Sequence, residues 1–190
     1  MSILTVSLMS YNSTGFNSIK TEWIRNLCKT ANIDLFSIQE HFNSTKSVHN
    51  YCKDQFPSYS SYVIPAKRSE NQDSGRAKGG LAQFWKKTLK IKIERISTCN
   101  ARIQAQILVF PTTRIMWINT YLPNDPMTLR FDDNELFGVL LEIEDILEKH
   151  DYDDCILQGD LNWDMSRSTG FSTSMQHFID RNWLRPFMIS

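Results

Sequence analysis

The chain has 190 residues, of which 41% are apolar and 22% charged, and this composition excludes wholesale disorder and suits one domain over residues 1–190. Lys plus Arg and Asp plus Glu each number 21, so bulk charge alone cannot hold the protein to nucleic acid or to an acidic membrane. No apolar run reaches the roughly 18 residues of a membrane span, and no basic-flanked apolar leader opens the chain.

The apolar pattern predicts, in chain order, a strand, a helix, a strand, several hairpin strands, a helix, a strand and a final helix. The predicted strands cover residues 4–10, 35–38, 58–64, 81–85, 89–94, 101–110, 114–121 and 155–158. The predicted helices cover residues 20–32, 134–150 and 171–181. Residues 68–80 are polar and rich in glycine, which predicts a long, mobile surface loop. The order is typical of an α/β protein in which helices cover largely antiparallel sheets.

The four cysteines are scattered through the chain and form no C-x-x-C pair. A disulfide framework or a structural zinc site needs clustered or patterned thiols. We therefore expect free thiols and an intracellular protein.

Polar groups stand where four predicted strands end. The first strand ends at Asn12, the second at Glu40, the third in the run from Asn119 to Asn124, and the fourth at Asp160 and Asn162. Strand ends that share one edge of a sheet converge, and binding sites of α/β proteins gather there. Two carboxylates with amides and a phenol form an oxygen-rich site, which suits Mg²⁺ or Mn²⁺ and not zinc. Each of these groups, taken singly, is also compatible with helix capping or a surface ion pair.

Five motifs occur in order along almost the whole chain. They are Ser10-Tyr11-Asn12, Ile38-Gln39-Glu40-His41, Lys78-Gly79-Gly80-Leu81-Ala82, Asn119-Thr120-Tyr121-Leu122-Pro123-Asn124 and Gly159-Asp160-Leu161-Asn162-Trp163. The series resembles the endonuclease/exonuclease/phosphatase superfamily, and within it the endonuclease domains of non-LTR (LINE-type) retrotransposons. The resemblance implies a two-sheet α/β sandwich flanked by helices, and a hydrolase that cuts DNA with Mg²⁺.

The resemblance also implies a role for each matching residue. Glu40 would be the principal Mg²⁺ ligand, with Asn12 beside it, and Tyr121 would contact the scissile phosphate. Asp160 would orient or deprotonate the attacking water, which Asn162 would help to hold. The partner would be the DNA phosphate backbone, and Arg76, Lys78 and Asn124 are candidate substrate contacts. The family resemblance implies a nuclear or cytoplasmic location, and the oligomeric state stays open.

The sequence departs from the family pattern after residue 181. Family members continue with several strands that carry an Asp and a Ser-x-His-type element, and neither occurs before Ser190. We therefore expect a domain that lacks its C-terminal strands, and our hypothesis is a weakly active or inactive chain. A remnant without catalysis and a phosphoesterase of the same fold with another substrate are the alternatives.

Several residues keep a second interpretation. His41 follows Glu40 and is expected to face away from the metal, because successive strand residues point to opposite faces. Asp164 could support the metal site or begin a turn with Ser166. The basic stretch formed by Lys86, Lys87, Lys90 and Lys92 is interpreted as a solvated strand face, with a DNA contact as the alternative.

Overall fold

A computed structural model describes residues 5–44, 47–68, 77–124 and 134–185. In these ranges the chain forms two mixed four-stranded sheets and four helices, which confirms the predicted α/β sandwich class. The strands are β1 (Leu8–Asn12), β2 (Leu35–Gln39), β3 (Tyr59–Ile64), β4 (Leu81–Lys86), β5 (Lys92–Ile96), β6 (Ile103–Val109), β7 (Arg114–Tyr121) and β8 (Asp154–Asp160). The helices are α1 (Ser18–Thr30), α2 (Val48–Gln55), α3 (Asn134–Lys149) and α4 (Gly170–Arg181).

The two sheets are built alike, each with three antiparallel strands and one parallel strand at an edge. The first sheet has the order β1-β2-β4-β3, in which only β1 and β2 are parallel. The second has the order β5-β6-β7-β8, in which only β7 and β8 are parallel. Strand β1 faces β8, and β2 faces β7 and β8, so the two parallel pairs lie opposite each other.

Alternation along the strands sends every second side chain of the first sheet towards its helices. Phe36 and Phe84 stack there with ring centroids 4.3 Å apart. Ile24 and Cys28 of α1, with Val48 and Cys52 of α2, join this core. Helix α1 begins at Ser18 because the Asn17 side chain accepts a hydrogen bond from the Lys20 N–H at 2.9 Å.

The space between the sheets changes from apolar to polar along the strands. One end is filled by Leu35, Leu108 and Trp117. Towards the other end of the strands, the inward faces of the two sheets carry buried polar side chains. These are Ser37, Gln39, Gln83, Gln104, Gln106 and Asn119. This polar end is the end at which β1, β2, β7 and β8 finish.

The fold divides into two compact units. The first holds both sheets with α1 and α2, and the second comprises residues 122–150 and 161–190 and holds α3 and α4. Within the second unit, Glu144 of α3 accepts a hydrogen bond from Asn182 at 3.3 Å and pairs with Arg181 at 3.5 Å. Both helices bury an apolar stripe, as their spacing predicts.

Helix α2 is not among the helices that the sequence pattern predicts. Its sequence is mostly polar, and only Val48 and Cys52 are buried, so the helical signal is weak. The expected loop over residues 68–80 falls mainly outside the described residues, and its two ends are joined by Lys67 and Lys78 as an antiparallel bridge. Among the described helices, none combines the length and the apolar character needed to cross a bilayer.

Candidate active site

The side chain of Asn12 joins two carboxylates that are remote in sequence. Its Nδ2 donates to Glu40 Oε2 at 2.8 Å and to Asp160 Oδ2 at 2.5 Å. Its Oδ1 accepts the backbone N–H of Thr14 at 2.9 Å, so the NH₂ group is the part that faces the carboxylates. The three side chains therefore meet where β1, β2 and β8 end, although the strands belong to two facing sheets and not to one sheet edge.

Glu40 reaches this position through an unusual backbone conformation. Strict alternation after the buried Gln39 would turn Glu40 towards the helices, on the side of Ile38. Glu40 instead has φ 54°, in the left-handed region that a residue with a Cβ seldom adopts. The turn brings its carboxylate to Asn12, and such local strain is common in residues of functional sites.

Tyr121 ends β7 beside the same carboxylates. Burial raises the pKa of Tyr121, and a hydrogen bond with Glu40 and the charges of Glu40 and Asp160 raise it further. The guanidinium of Arg102 opposes this rise, since it lies 5.0 Å from the centre of the Tyr121 ring. Arg102 also donates to the Tyr121 carbonyl oxygen at 3.2 Å. The phenol is therefore held protonated, as a hydrogen-bond donor.

Arg102 was not among the residues predicted for the site. The structure pairs Ile103 with Thr120 and so sets Arg102 beside Tyr121, a register that the two predicted strands, 101–110 and 114–121, did not specify. A cation next to two carboxylates stabilises them and favours a bound phosphate.

Gly159 lets β8 approach β7 immediately before Asp160. It has φ 142°, and a Cβ at this position would lie 1.8 Å from the Thr120 carbonyl oxygen. Gly159 lies within β8, and the nearest neighbour of the missing side chain is the backbone of β7. The glycine thereby sets the position of Asp160.

A buried layer of amides and hydroxyls lies behind the carboxylates. Gln39 Nε2 donates to Asn119 Oδ1 at 2.7 Å and to Ser10 Oγ at 3.1 Å. Gln158 Nε2 donates to Ser37 Oγ at 2.6 Å and so connects the two sheets again. Asn119 therefore lies inside this layer and is not a strand exit. Hydrogen bonds of this kind fix the strand ends that present the candidate residues.

The donor set fits a hard divalent cation. The carboxylates of Glu40 and Asp160 supply oxygen ligands of the kind that Mg²⁺ and Mn²⁺ take in proteins, and Mg²⁺ is commonly held by one or two carboxylates with water. Within the described ranges, His, Cys, Asp and Glu form no group of three or more that could hold a metal ion.

For the remaining predicted site residues the structure gives contacts of other kinds. Asn162 belongs to the second unit, has φ 48°, and donates to the Leu122 carbonyl oxygen at 2.7 Å. Lys78 is exposed and forms the bridge to Lys67, and Asn124 is exposed. Arg76 lies outside the described residues. Their roles, like those of Asn12, Glu40, Tyr121 and Asp160, stay predictions.

The His41 ring bonds to the segment that follows β2 and to the end of β3. Its Nδ1 accepts the N–H of Asn43 at 3.1 Å and its Nε2 donates to the Ile64 carbonyl oxygen at 3.1 Å, so the neutral ring is fully bonded. Burial lowers the pKa of His41, which keeps the ring neutral.

Two other open interpretations are also resolved by contacts. Asp164 accepts the Ser166 N–H at 3.0 Å and pairs with Arg167 at 3.0 Å, as in a local turn. In the basic stretch, Lys86 pairs with Asp34 at 2.9 Å and Lys92 with Glu94 at 2.8 Å, so part of its charge is neutralised within the fold.

Three solved structures of similar architecture are remote from this chain in sequence. An AP endonuclease from Leishmania major matches with a TM-score of 0.70 at 16% identity, over 93% of this chain and 66% of its own. The endonuclease domain of TRAS1, a telomere-specific non-LTR retrotransposon, matches with a TM-score of 0.65 at 12% identity, over 93% of this chain and 72% of its own. The 3′ phosphatase NExo from Neisseria, solved with a product DNA hairpin, matches with a TM-score of 0.61 at 13% identity, over 93% of this chain and 71% of its own.

The chain therefore has the endonuclease/exonuclease/phosphatase fold, as its motifs predict. It spans about two thirds of the length of the Leishmania enzyme. No protein-family model matches the sequence, and no curated protein matches it either.

Proposed function

We propose that this chain is a Mg²⁺-dependent phosphodiesterase that cuts DNA, and that its biological reaction is the nicking of target DNA for a non-LTR retroelement. The observation that carries the proposal is the hydrogen bonding of Asn12 to both Glu40 and Asp160 beside a protonated Tyr121. The similarity to the TRAS1 endonuclease domain supports the retroelement assignment.

In this proposal Glu40 holds the cation, and the NH₂ group of Asn12 lies beside it as a donor to the phosphate or to a water on the cation. The cation, when bound, neutralises charge that develops on the phosphate oxygens. Tyr121 donates a hydrogen bond to a phosphate oxygen, and Arg102 lies behind its ring. Asp160 orients a water and accepts its proton, while Asn162 holds that water or the phosphate. The new O–P bond forms, the bond from phosphorus to the 3′ oxygen breaks, and that oxygen takes a proton to become a 3′-hydroxyl.

Conversion of supercoiled plasmid to the nicked form, with Mg²⁺ present, tests the proposal. We expect nicking by the unaltered chain and a loss of about 10²-fold or more in Glu40→Gln, because the carboxylate charge is removed from the centre of the site. The exposed Glu22 on α1 provides the matched control, and Glu22→Gln should nick normally. Equal nicking by Glu40→Gln would contradict the assignment.

A non-catalytic protein of the same fold is the alternative to be tested. Titration calorimetry with Mg²⁺ separates the two. If the site is active, the unaltered chain should bind Mg²⁺ with a defined stoichiometry and Glu40→Gln should not bind it. A non-catalytic chain should show no specific Mg²⁺ binding.

The substrate is tested in parallel reactions. DNA with a terminal 3′-phosphate, single-stranded RNA and phosphoinositide vesicles are offered at equal phosphate concentration. Preference for duplex DNA with internal cuts supports the nicking assignment. Faster release of inorganic phosphate from the 3′-phosphate or the phosphoinositide, or faster cutting of the RNA, would replace it.

A further inference from the structure

A cleft of about 410 Å³ opens next to the strand ends that carry Asn12 and Glu40. It is lined by Thr14, Gly15, Phe16 and Asn17 from the segment after β1, by His41, Phe42, Asn43 and Ser44 from the segment after β2, and by Arg68. All of these residues belong to the first unit. None of them has a predicted role in the reaction described above.

The two segments are held together as a continuation of the parallel pairing of β1 and β2. The N–H of Ser13 donates to Gln39 O at 2.9 Å, that of Gly15 to Glu40 O at 2.7 Å, and that of Phe16 to His41 O at 3.1 Å. The backbone of Glu40 is therefore itself part of the connection between the cleft and the candidate metal site.

The cleft is preformed. The His41 ring is buried, bonds through both nitrogens within the fold, and faces Gly80, where a Cβ would come within 2.5 Å of it. Phe16 stacks on Phe56 with centroids 6.3 Å apart and meets the edge of Tyr51 at 5.5 Å. A ligand would therefore enter without reordering these walls.

The lining has the chemistry of a site for an anionic, ring-containing ligand. It combines three ring side chains with amides and hydroxyls and carries the Arg68 guanidinium, and no carboxylate is among the described residues that line it. The ammonium of Lys20 adds positive charge nearby, since it donates to the carbonyl oxygens of Ser13 and Thr14. Arg binds phosphate with its planar fork, and aromatic faces stack on bases of any sequence. A volume of this size suits a small ligand such as one nucleotide.

We propose that this cleft holds one nucleotide of the substrate strand next to the phosphate that is cut, with Arg68 on its phosphate and the ring-lined wall against its base. The assignment rests on the proposed function for its biological meaning, but the cleft can be tested without cleavage. Arg68 then acts in substrate binding and not in the chemical step.

The binding test uses thymidine 3′,5′-bisphosphate as the probe, in EDTA, and follows backbone amide resonances of the ¹⁵N-labelled chain. We expect shifts concentrated at Gly15, Phe16, Asn43 and Ser44, and an at least fivefold weaker apparent affinity in Arg68→Ala. Arg25→Ala, which removes an exposed charge from α1, should bind as the unaltered chain does. Absence of shifts at the four amides, or equal weakening by both variants, would overturn the proposal. Identical titrations with inorganic phosphate would overturn the base contact.

The kinetic test separates this cleft from the metal site. In plasmid nicking, Arg68→Ala should raise KM at least fivefold with kcat within a factor of two, whereas Glu40→Gln should lose kcat. A chain that does not nick but still binds the bisphosphate through Arg68 would refute the nuclease and retain the cleft. Nicking with unchanged KM in Arg68→Ala would refute the cleft and retain the nuclease.

Discussion

Asn12 and Asp160 are 148 residues apart in the chain, and their side chains are 2.5 Å apart in space. The amide that makes this contact also donates to Glu40, so one uncharged group lies between two carboxylates. Two negative charges near one another disfavour the ionised forms unless donors or cations stabilise them. The Asn12 amide therefore stabilises both carboxylates. Its replacement should destabilise the site although no charged residue is removed.

Asn12→Asp places a third carboxylate against Glu40 and Asp160. We expect the free energy of unfolding at pH 7 in EDTA to fall by about 1–3 kcal/mol, because two hydrogen bonds are exchanged for repulsion. Urea denaturation measures it. The deficit should shrink on addition of Mg²⁺, which binds the folded state, while Asn26→Asp on the exposed face of α1 should show neither effect. A deficit that Mg²⁺ leaves unchanged would contradict this account.

Glu40→Gly should separate stability from activity. A residue with a Cβ at φ 54° costs about 1–2 kcal/mol that glycine does not incur. We expect Glu40→Gly to unfold at the same temperature as the unaltered chain or a higher one, and to lose nicking. Glu40→Ala removes the same carboxylate but keeps the Cβ, so it should be less stable than Glu40→Gly. The reverse order in thermal unfolding would show that the left-handed turn is not strained.

Gly159→Ala should damage the pairing of β7 with β8. The added Cβ would meet the Thr120 carbonyl oxygen at 1.8 Å, and that oxygen belongs to backbone, which cannot move aside without separating the strands. We expect a loss of several kcal/mol in urea denaturation, of the order found for overpacked interiors. Gly138 on α3 has open space around it, so Gly138→Ala should instead stabilise the chain by about 1 kcal/mol.

Gln106 and Gln104 are neighbours on one inward face of β6 and should respond oppositely to substitution by Leu. Neither side-chain polar atom of Gln106 has a hydrogen-bond partner within the described part of the chain. Gln104 donates to the Tyr62 carbonyl oxygen at 2.8 Å and accepts from Asn119 at 3.2 Å. We expect Gln106→Leu to be neutral or stabilising and Gln104→Leu to cost about 1–3 kcal/mol, because only the second leaves buried partners unpaired. A comparable loss in both variants would mean that Gln106 is bonded in solution.

The free energy of unfolding should fall at alkaline pH because three thiols are buried in the folded state. Burial is the main cause that raises the pKa of Cys28 to about 11 and of Cys52 and Cys155 to about 12. The folded state therefore keeps protons that the unfolded chain releases from about pH 9 upwards, and the stability they contribute below pH 9 is lost as the pH rises towards 11–12. Urea denaturation at pH 7.5, 9 and 10 should show a progressive decline.

The same burial predicts thiol reactivity. At pH 8 a disulfide reagent such as dithiobis(nitrobenzoate) should modify Cys99 rapidly and the other three slowly, because Cys99 is the exposed one of the four. Cys99→Ser should remove the fast phase. A fast phase that persists in this variant would show that one of the half-buried or buried thiols opens readily.

Most of the strands and three of the four helices could be predicted from the sequence. The predicted strands 101–110 and 114–121 pair as the hairpin of β6 and β7, and the structure sets Val109 opposite Arg114. The observed ends of several elements differ from the predicted ends by a few residues, because local contacts decide where an element begins. Helix α1, for example, begins at Ser18 and not at residue 20, because Asn17 caps it. Helix α2 was missed because its stability comes from packing of Val48 and Cys52 and not from a periodic apolar stripe.

For the candidate site, the residue types were predicted but their arrangement was not. Alternation along a strand predicts the face on which a side chain lies, but not which strand lies opposite. The predicted meeting at one sheet edge is wrong, since Asn12 and Glu40 come from one sheet and Tyr121 and Asp160 from the other. Arg102 and the bonded layer of Gln39, Asn119 and Gln158 became visible only with that pairing.

The amino-acid sequence by itself determined the order of strands and helices, the fold class and the oxygen-rich character of the strand ends, because these depend on local periodicity and side-chain type. Only the tertiary structure decided that Glu40 turns back through a left-handed residue, that a glycine admits the Thr120 backbone beside Asp160, and that a cleft with Arg68 opens next to them. These features depend on contacts between segments far apart in the chain, and no local pattern specifies the distance between such segments.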